Sequence, residues 1–288
     1  MAQQDTDVFV RLERFYDALP RPDARAEEFG GLLLFVREGS GWPFYARPRP
    51  GAETPSAADI TAVRQRQRDL GVPEAFEWVH ENHPDLLAVA RSAGLKVLLA
   101  PLLVLDAAAL VPNLPVSGAT LRLLDPSSPG FAADLAAGRA VAQLGFGAPA
   151  TVVPSSVGGL VAAPAGPRER DAVSAPAEDL VESARRRALD GRAATAVVES
   201  PSEGIVATGA FQRVGDVAEI AGVATLPSAR RRGYASQLTA TLARHALQNG
   251  VDLVFLSAGD DDIARLYSRV GFRRIGTAGI AEPAAATL

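Results

Sequence analysis

The pattern of apolar and polar positions changes repeatedly along the chain and predicts alternating strands and helices. In the second half, short apolar runs bounded by Gly, Pro, Asn and Asp predict strands, whereas apolar residues at helical spacing predict helices. The predicted elements are, in order, strand 119–124, helices 131–144 and 178–189, strands 195–199, 205–211 and 217–226, helix 233–248, strand 251–257, helix 260–270 and strand 272–280. This order predicts an α/β protein with a mixed sheet.

The first half repeats the later part of this order. Apolar residues 32–36 come first, followed by strand 42–46, helix 57–70, strand 75–79, helix 84–93 and strand 97–105. One shift along the chain sets Gly94 on Gly271 and Trp78 on Phe255, and a slightly longer shift sets Pro48 on Pro227. We interpret the match as an internal duplication. Because 288 residues exceed the usual length of one domain, we predict domains at 1–112 and 113–288.

Residues 145–176 form a connection rich in Pro, Gly and Ala. Loops of this length inside a compact domain are usually functional lids or disordered segments. We therefore expect this segment to border a substrate site.

Composition narrows the function classes. The chain has no cysteine, which excludes disulfides, thiolate metal sites and a cysteine acyl-enzyme. Its net charge of −4 gives no overall attraction to nucleic acid or anionic lipid, so we expect neither as a partner. The amino terminus lacks the order of a signal peptide, and the longest apolar run is too short to cross a bilayer, so we expect a cytoplasmic protein.

Residues 225–236, TLPSARRRGYAS, predict a site for an anion. A strand that feeds a tight turn and then a helix presents unpaired backbone N–H groups at the helix start, where the dipole favours negative charge. Gly233 and Ala235 leave room for close approach, and Arg230, Arg231 and Arg232 add permanent charge. A solvated charged face and a nucleic-acid patch are the alternatives, the second disfavoured because no aromatic or lysine cluster flanks the arginines.

The segment resembles a known family. Arg230-x-x-Gly233-x-Ala235 fits the R/Q-x-x-G-x-G/A signature of the GNAT N-acetyltransferase superfamily, with Pro227 three residues earlier as in that family. Residues 266–272, LYSRVGF, are similar to its LYxxxGF element. The resemblance covers residues 117–288 and implies the mixed-sheet fold of acyl-CoA N-acyltransferases, here in a tandem form of two GNAT-like domains with a degenerate N-terminal half.

The resemblance implies acetyl-CoA as co-substrate and no metal. The pyrophosphate of acetyl-CoA is expected on the backbone amides of Arg231, Arg232, Gly233, Tyr234 and Ala235, beside Arg230. Its pantetheine arm is expected to pair with the backbone of Val223 and Thr225, as an added strand does.

Acyl transfer to an amine needs a base, because a primary alkyl amine has a pKa near 10.4 and is mostly protonated at neutral pH. Glu219, on the strand before the arginines, is the candidate base; alternatively it faces solvent on a half-exposed strand. By resemblance Tyr267 is the acid for the departing thiolate, with a core aromatic as the alternative. Asp260 stands where the family often has asparagine, and we interpret it as a helix cap.

The first half has lost this chemistry. Thr54 and Ser56 align with Gly233 and Ala235, and Ala90 aligns with Tyr267. We therefore expect an inactive copy that completes the cleft or holds the domains together. The predicted activity is direct transfer from acetyl-CoA to a small-molecule or peptide amine in a ternary complex, and the alternative is a non-enzymatic acyl-CoA-binding or scaffold protein.

Overall fold

The computed structural model describes residues 2–112, 115–147 and 164–284. Its helices are α1 (Ala2–Ala18), α2 (Ala57–Asp69), α3 (Leu86–Ser92), α4 (Phe131–Gly147), α5 (Pro167–Asp171), α6 (Glu178–Leu189), α7 (Tyr234–Gln248) and α8 (Asp261–Ser268). Its strands are β1 (Ala24–Phe29), β2 (Leu32–Arg37), β3 (Arg47–Pro48), β4 (Phe76–Val79), β5 (Leu95–Leu105), β6 (Thr120–Leu123), β7 (Ala193–Ser200), β8 (Gly204–Val214), β9 (Val217–Thr225), β10 (Leu253–Ser257) and β11 (Phe272–Pro283).

The order of elements predicted for the second half is confirmed. Helix α4 runs slightly further than expected, and the short helix α5 lies inside the connection at 145–176. Residues 148–163 of that connection lie outside the described residues. Its place beside a substrate site therefore stays a prediction.

In the first half the strand predicted at 42–46 is wrong. Only Arg47 and Pro48 form β3, and Ala46 makes a single parallel bridge to Phe76. Pro43 has no N–H to donate to a ladder, which breaks the strand before Ala46. Helix α1 and strand β1 are additional elements that the sequence pattern did not reveal.

The chain divides into two compact units, and the described part of the first comprises residues 2–104, 255–268 and 273–284. It holds a sheet of order β1-β2-β3 and a second set of strands in the order β4-β11-β5-β10. Helices α2 and α3 pack on a core that includes Leu32, Ile60 and Trp78. From α1, the rings of Phe15 and Tyr16 meet the Phe255 ring edge-on at 5.1 and 5.5 Å.

Strand pairing in the first unit joins distant parts of the chain. Residues 278–281 of β11 pair antiparallel with residues 76–79 of β4, and residues 255–257 of β10 pair antiparallel with residues 102–104 of β5. Under the shift that aligns the two halves, β4 corresponds to β10 and β5 to β11. Each pair therefore joins one strand of each half in the same way, which supports the duplication. The contiguous boundary near residue 112 stays a prediction.

The second unit comprises residues 105–254 and 269–272. Its four strands run in the order β9-β8-β7-β6, each pair antiparallel. Helix α4 packs on one face, where Gly138 lies close to the Thr208 side chain. Helix α7 packs on the other, where Leu242 comes close to Gly209. Consecutive residues of β8 thus alternate between α4 and α7.

The segment after β5 folds against the turn at Gly271 within the second unit. The N–H of Asp106 donates to the Gly271 carbonyl at 3.0 Å, and the N–H of Val111 donates to the Val270 carbonyl at 3.1 Å. Gly271 has a φ of +120°, and a Cβ there would come within 2.7 Å of the Ala109 carbonyl oxygen. Both constraints require glycine at this position of the LYxxxGF element.

None of the helices in the described ranges is long and apolar enough to span a bilayer. Within those same ranges, no group of three or more His, Asp or Glu side chains is placed to hold a metal ion. The cytoplasmic location stays a prediction.

Candidate active site

Strand β9 contains a β-bulge. Thr208 pairs with Ala224 and Ala210 with Ala221, so that Gly222 and Val223 together stand opposite Gly209. Gly222 has a φ of +66°, the left-handed conformation that opens a glycine-type bulge. A Cβ at Gly209 would lie 3.1 Å from a Val223 methyl group, so a glycine there gives the bulge room.

The bulge reverses the alternation of side chains along β9. Before it, Glu219 pairs with Gln212 and shares the face covered by α4. After it, Val223 lies beside Gly209 on the face covered by α7, and Thr225 follows on that side. The extra residue of a bulge leaves the ladder locally unpaired. Val223 lies in the bulge, whereas Thr225 pairs with Ala207 of β8, and the pairing of these two residues with the pantetheine arm stays a prediction.

The loop between β9 and α7 holds two residues in left-handed conformation. Pro227–Ala229 form one turn of 3₁₀ helix, Arg231 follows with a φ of 64°, and Gly233 with a φ of 79°. A non-glycine residue in this region costs about 1 kcal/mol. Such strain persists only where surrounding contacts fix the backbone, and it is common at functional sites.

Helix α7 begins without a side-chain cap. Gly233 occupies the N-cap and, having no side chain, makes no side-chain cap hydrogen bond. A Cβ built on Gly233 would have no atom of the described residues within 4 Å, so the space before the helix is open. Tyr234, the first residue of the helix, is buried. This geometry fits a phosphate group.

The three arginines have different surroundings. Arg230 donates to the Gly145 carbonyl at 2.7 Å, at the end of α4. Arg232 forms an ion pair of 2.9 Å with Glu203, and hydrogen bonds to Tyr234 and Glu203 raise the pKa of Arg232 further above its ordinary value. Arg231 and Arg232 are both exposed and Arg230 is half-buried, so a solvated charged face stays the alternative to the anion site.

The corresponding end of α2 in the first unit is closed. Ser56 caps the helix by accepting the Asp59 N–H, and the Asp59 carboxylate accepts the N–H groups of Ser56 at 2.8 Å and Gly31 at 3.3 Å. Desolvation acts to raise the pKa of Asp59, but these hydrogen bonds outweigh it and lower the pKa below its ordinary value. A carboxylate of the chain itself thus occupies the place of an anion.

Glu219 is buried, with 9% of its surface exposed. The alternative in which it faces solvent is therefore wrong. Gln212, its partner across the ladder, accepts a hydrogen bond of 2.9 Å from Arg187 of α6 through its amide oxygen. A buried carboxylate on a polar face suits the role of a base, and that role stays a prediction.

Tyr267 lies on α8 in the first unit, whereas Glu219 and the predicted cofactor-binding residues all lie in the second. Burial raises the pKa of Tyr267 to about 12. Asp260 accepts the Ile263 N–H at 2.8 Å, which confirms it as the cap of α8.

The sequence analysis did not predict two features of the site. Gly222 inside a strand pattern is a known bulge signal that was available from the residues alone. Glu203 was assigned only to a turn, and no local pattern links it to Arg232, which follows 29 residues later.

Comparison with known proteins identifies this architecture. Residues 167–272 match the model of the acetyltransferase (GNAT) family. A GCN5-related N-acetyltransferase from Kribbella flavida superposes with a TM-score of 0.68 at 21% identity, covering 98% of this chain and 97% of that one. A GCN5-related N-acetyltransferase-like protein from Streptococcus suis 89/1591 gives a TM-score of 0.53 at 15% identity, covering 98% and 99%.

A search of curated protein sequences finds no match. The structural likenesses establish the fold over nearly the whole chain, including the first half, and the family match covers β7 to β10, α7 and α8. Residues 167–272 therefore match the acetyltransferase (GNAT) family, and the chain has a GNAT fold.

Proposed function

We propose that the protein transfers an acetyl group from acetyl-CoA to a primary amine. The observation that carries this proposal is the uncapped start of α7 at Gly233, open to solvent and preceded by a bulged strand. Backbone N–H groups and the helix dipole there suit a diphosphate. The bulged backbone of β9 suits an extended amide-bearing arm.

Acetyl-CoA supplies an activated acyl thioester. Its diphosphate would lie on the amides of Arg231 to Ala235, and its pantetheine arm along Val223 and Thr225. The exposed side chain of Arg231 adds charge at the same loop. Because the chain has no cysteine, we propose direct transfer to the amine with both substrates bound.

Glu219 is proposed as the base. An ammonium group is not nucleophilic, and a carboxylate within reach, directly or through one water, can take its proton. The placement of Glu219 on the α4 face of β9, before the bulge, supports this role.

Tyr267 is proposed as the acid. With a pKa of about 12 its hydroxyl stays protonated at neutral pH. That value exceeds the pKa of an ordinary thiol, near 8.5, so the phenol would stabilise the departing thiolate mainly by donating a hydrogen bond.

A pair of glycine variants tests the binding site. We expect Gly233→Glu to abolish acetyl-CoA binding in calorimetry, because the side chain and its charge enter the space before α7. Gly215→Glu is the matched control, since Gly215 also has a positive φ and open space at its Cβ, in the turn between β8 and β9. Equal binding by the wild type and Gly233→Glu would contradict the proposed site.

A release assay tests the transfer itself. The wild-type protein is incubated with acetyl-CoA and a panel of small amines and peptides, and free CoA is measured together with the mass of each acceptor. We expect CoA release with the mass gain of one acetyl group on one class of amine. Binding without release across the panel would favour the non-enzymatic alternative.

A further inference from the structure

The loop from Leu226 to Gly233 is held by neighbours that are not among the residues predicted to bind acetyl-CoA. The Ser228 N–H donates to the Ala165 carbonyl at 3.1 Å, just before α5. Arg232 binds the Glu203 carboxylate at 2.9 Å and reaches the Ser228 carbonyl at 3.4 Å. Hydrogen bonds therefore hold the loop to the segment that leads into α5 and to the turn between β7 and β8.

Arg170 of α5 joins these two supports. Its guanidinium is buried, with 9% of the residue exposed, and one of its nitrogens donates at 2.6 Å to the carbonyls of both Glu203 and Ile205. A Cβ at Gly204 would lie 3.1 Å from the same nitrogen. Arg170 thus fixes the backbone of the residue whose side chain holds Arg232.

We propose that Arg170 and Glu203 are positioning residues for the acyl-CoA loop, acting through Arg232. This inference rests on the proposed function, because it assumes that acetyl-CoA binds at the start of α7. In this chain of contacts, Arg170 holds the Glu203 backbone, the Glu203 carboxylate holds Arg232, and Arg232 adjoins the left-handed Gly233.

Electrostatics and positioning predict opposite results for one substitution. Glu203→Gln removes a negative charge near the site of a polyanionic ligand, and charge alone would make acetyl-CoA bind more tightly. If Glu203 acts by holding Arg232, the same substitution loosens the loop and weakens binding. The sign of the change in affinity therefore separates the two explanations.

The experiment measures the Kd for acetyl-CoA by calorimetry and the steady-state constants with the acceptor found in the release assay. We expect Glu203→Gln and Arg170→Met each to raise Kd and KM about fivefold with kcat nearly unchanged, a size typical of coupled contacts. We expect the double variant Glu203→Gln with Arg232→Gln to bind no more weakly than Arg232→Gln alone. Arg170→Lys keeps the charge and should restore part of the affinity.

Arg122→Gln is the control, because it breaks the ion pairs that Arg122 makes with Asp134 and Glu199. Arg122 lies on β6, the strand of this unit furthest in order from β9. It should lower stability without changing Kd. An unchanged or lower Kd for Glu203→Gln, in protein whose circular dichroism matches the wild type, would overturn the positioning role. Absence of acetyl-CoA binding by the wild type would instead overturn the proposed function.

Discussion

At the scale of single residues, the roles of Glu219 and Tyr267 are the least determined by sequence. Glutamate on a strand and tyrosine in a helix are both common, and the spacing alone does not determine what surrounds their side chains. The structure buries both side chains, which removes the solvent-facing interpretation of Glu219 and places Tyr267 in a setting that raises its pKa.

We expect Glu219→Gln to lower kcat by about 100-fold at neutral pH, because the amine then has no base. The loss should shrink as pH approaches the amine pKa near 10.4, where the neutral amine becomes abundant. A pH–rate profile of both proteins checks this, with Glu199→Gln as a carboxylate control in the same unit. A loss independent of pH would contradict the role of base.

We expect Tyr267→Phe to lower kcat by about 100-fold while the KM for acetyl-CoA holds. Because the pKa of Tyr267 is about 12, wild-type activity should show no loss from its ionisation below about pH 11. Tyr16→Phe, which alters another buried tyrosine of the first unit, is the control. Equal rates for Tyr267→Phe and the wild type would remove its assigned role.

At the scale of elements, a glycine on one strand of the first unit packs closely against a tryptophan on the neighbouring strand. Gly279 of β11 stands directly opposite Trp78 of β4, and a Cβ on Gly279 would fall within 2.3 Å of the buried indole ring. The flat ring therefore packs on the backbone of the facing strand.

We expect Gly279→Val to lower the free energy of unfolding by about 2 kcal/mol, because the indole must move within a packed core. Gly259→Val is the matched control, since no atom of the described residues lies within 4 Å of a Cβ built there and its φ is outside the left-handed region. Chemical denaturation followed by tryptophan fluorescence measures both. A Gly279→Val protein as stable as Gly259→Val would show that Trp78 has room to shift.

The elements that could be predicted are those whose own residues carry the signal. Helix α7 shows apolar residues at helical spacing and an Asn249-Gly250 stop, and it begins within one residue of the predicted start. The strand predicted at 42–46 is wrong because Pro43 disfavours a strand more strongly than the apolar residues around it favour one. Gly222 inside the β9 pattern is itself a bulge signal, but the register that the bulge produces depends on the neighbouring strand and not on β9 alone.

At the scale of the whole molecule, the pairing of β11 with β4 and of β10 with β5 had no signal in the sequence. Local patterns identify strands but carry no information on which strand each will pair with. The repeat between the halves can be seen in the sequence. It is equally compatible with two separate copies and with two copies that exchange strands. The structure shows the second arrangement within the first unit.

We expect a fragment of residues 113–288 expressed alone to aggregate, because it lacks the β4 and β5 partners of β11 and β10. Unpaired strand edges promote association between chains. Co-expression with residues 1–112 should recover soluble material, measured by size-exclusion chromatography. A monomeric, acetyl-CoA-binding 113–288 fragment would show that the exchanged pairs are dispensable.

The exchanged strands also constrain how this gene could evolve. A duplicated copy that loses its ligand site is ordinarily free to be deleted, since selection no longer acts on its chemistry. Here deletion of the first half would remove β4 and β5, the strands that pair with β11 and β10 of the second half. If the first half is inactive, as we predict, hydrogen bonding preserves it, and selection on it reduces to keeping β4 and β5 able to pair.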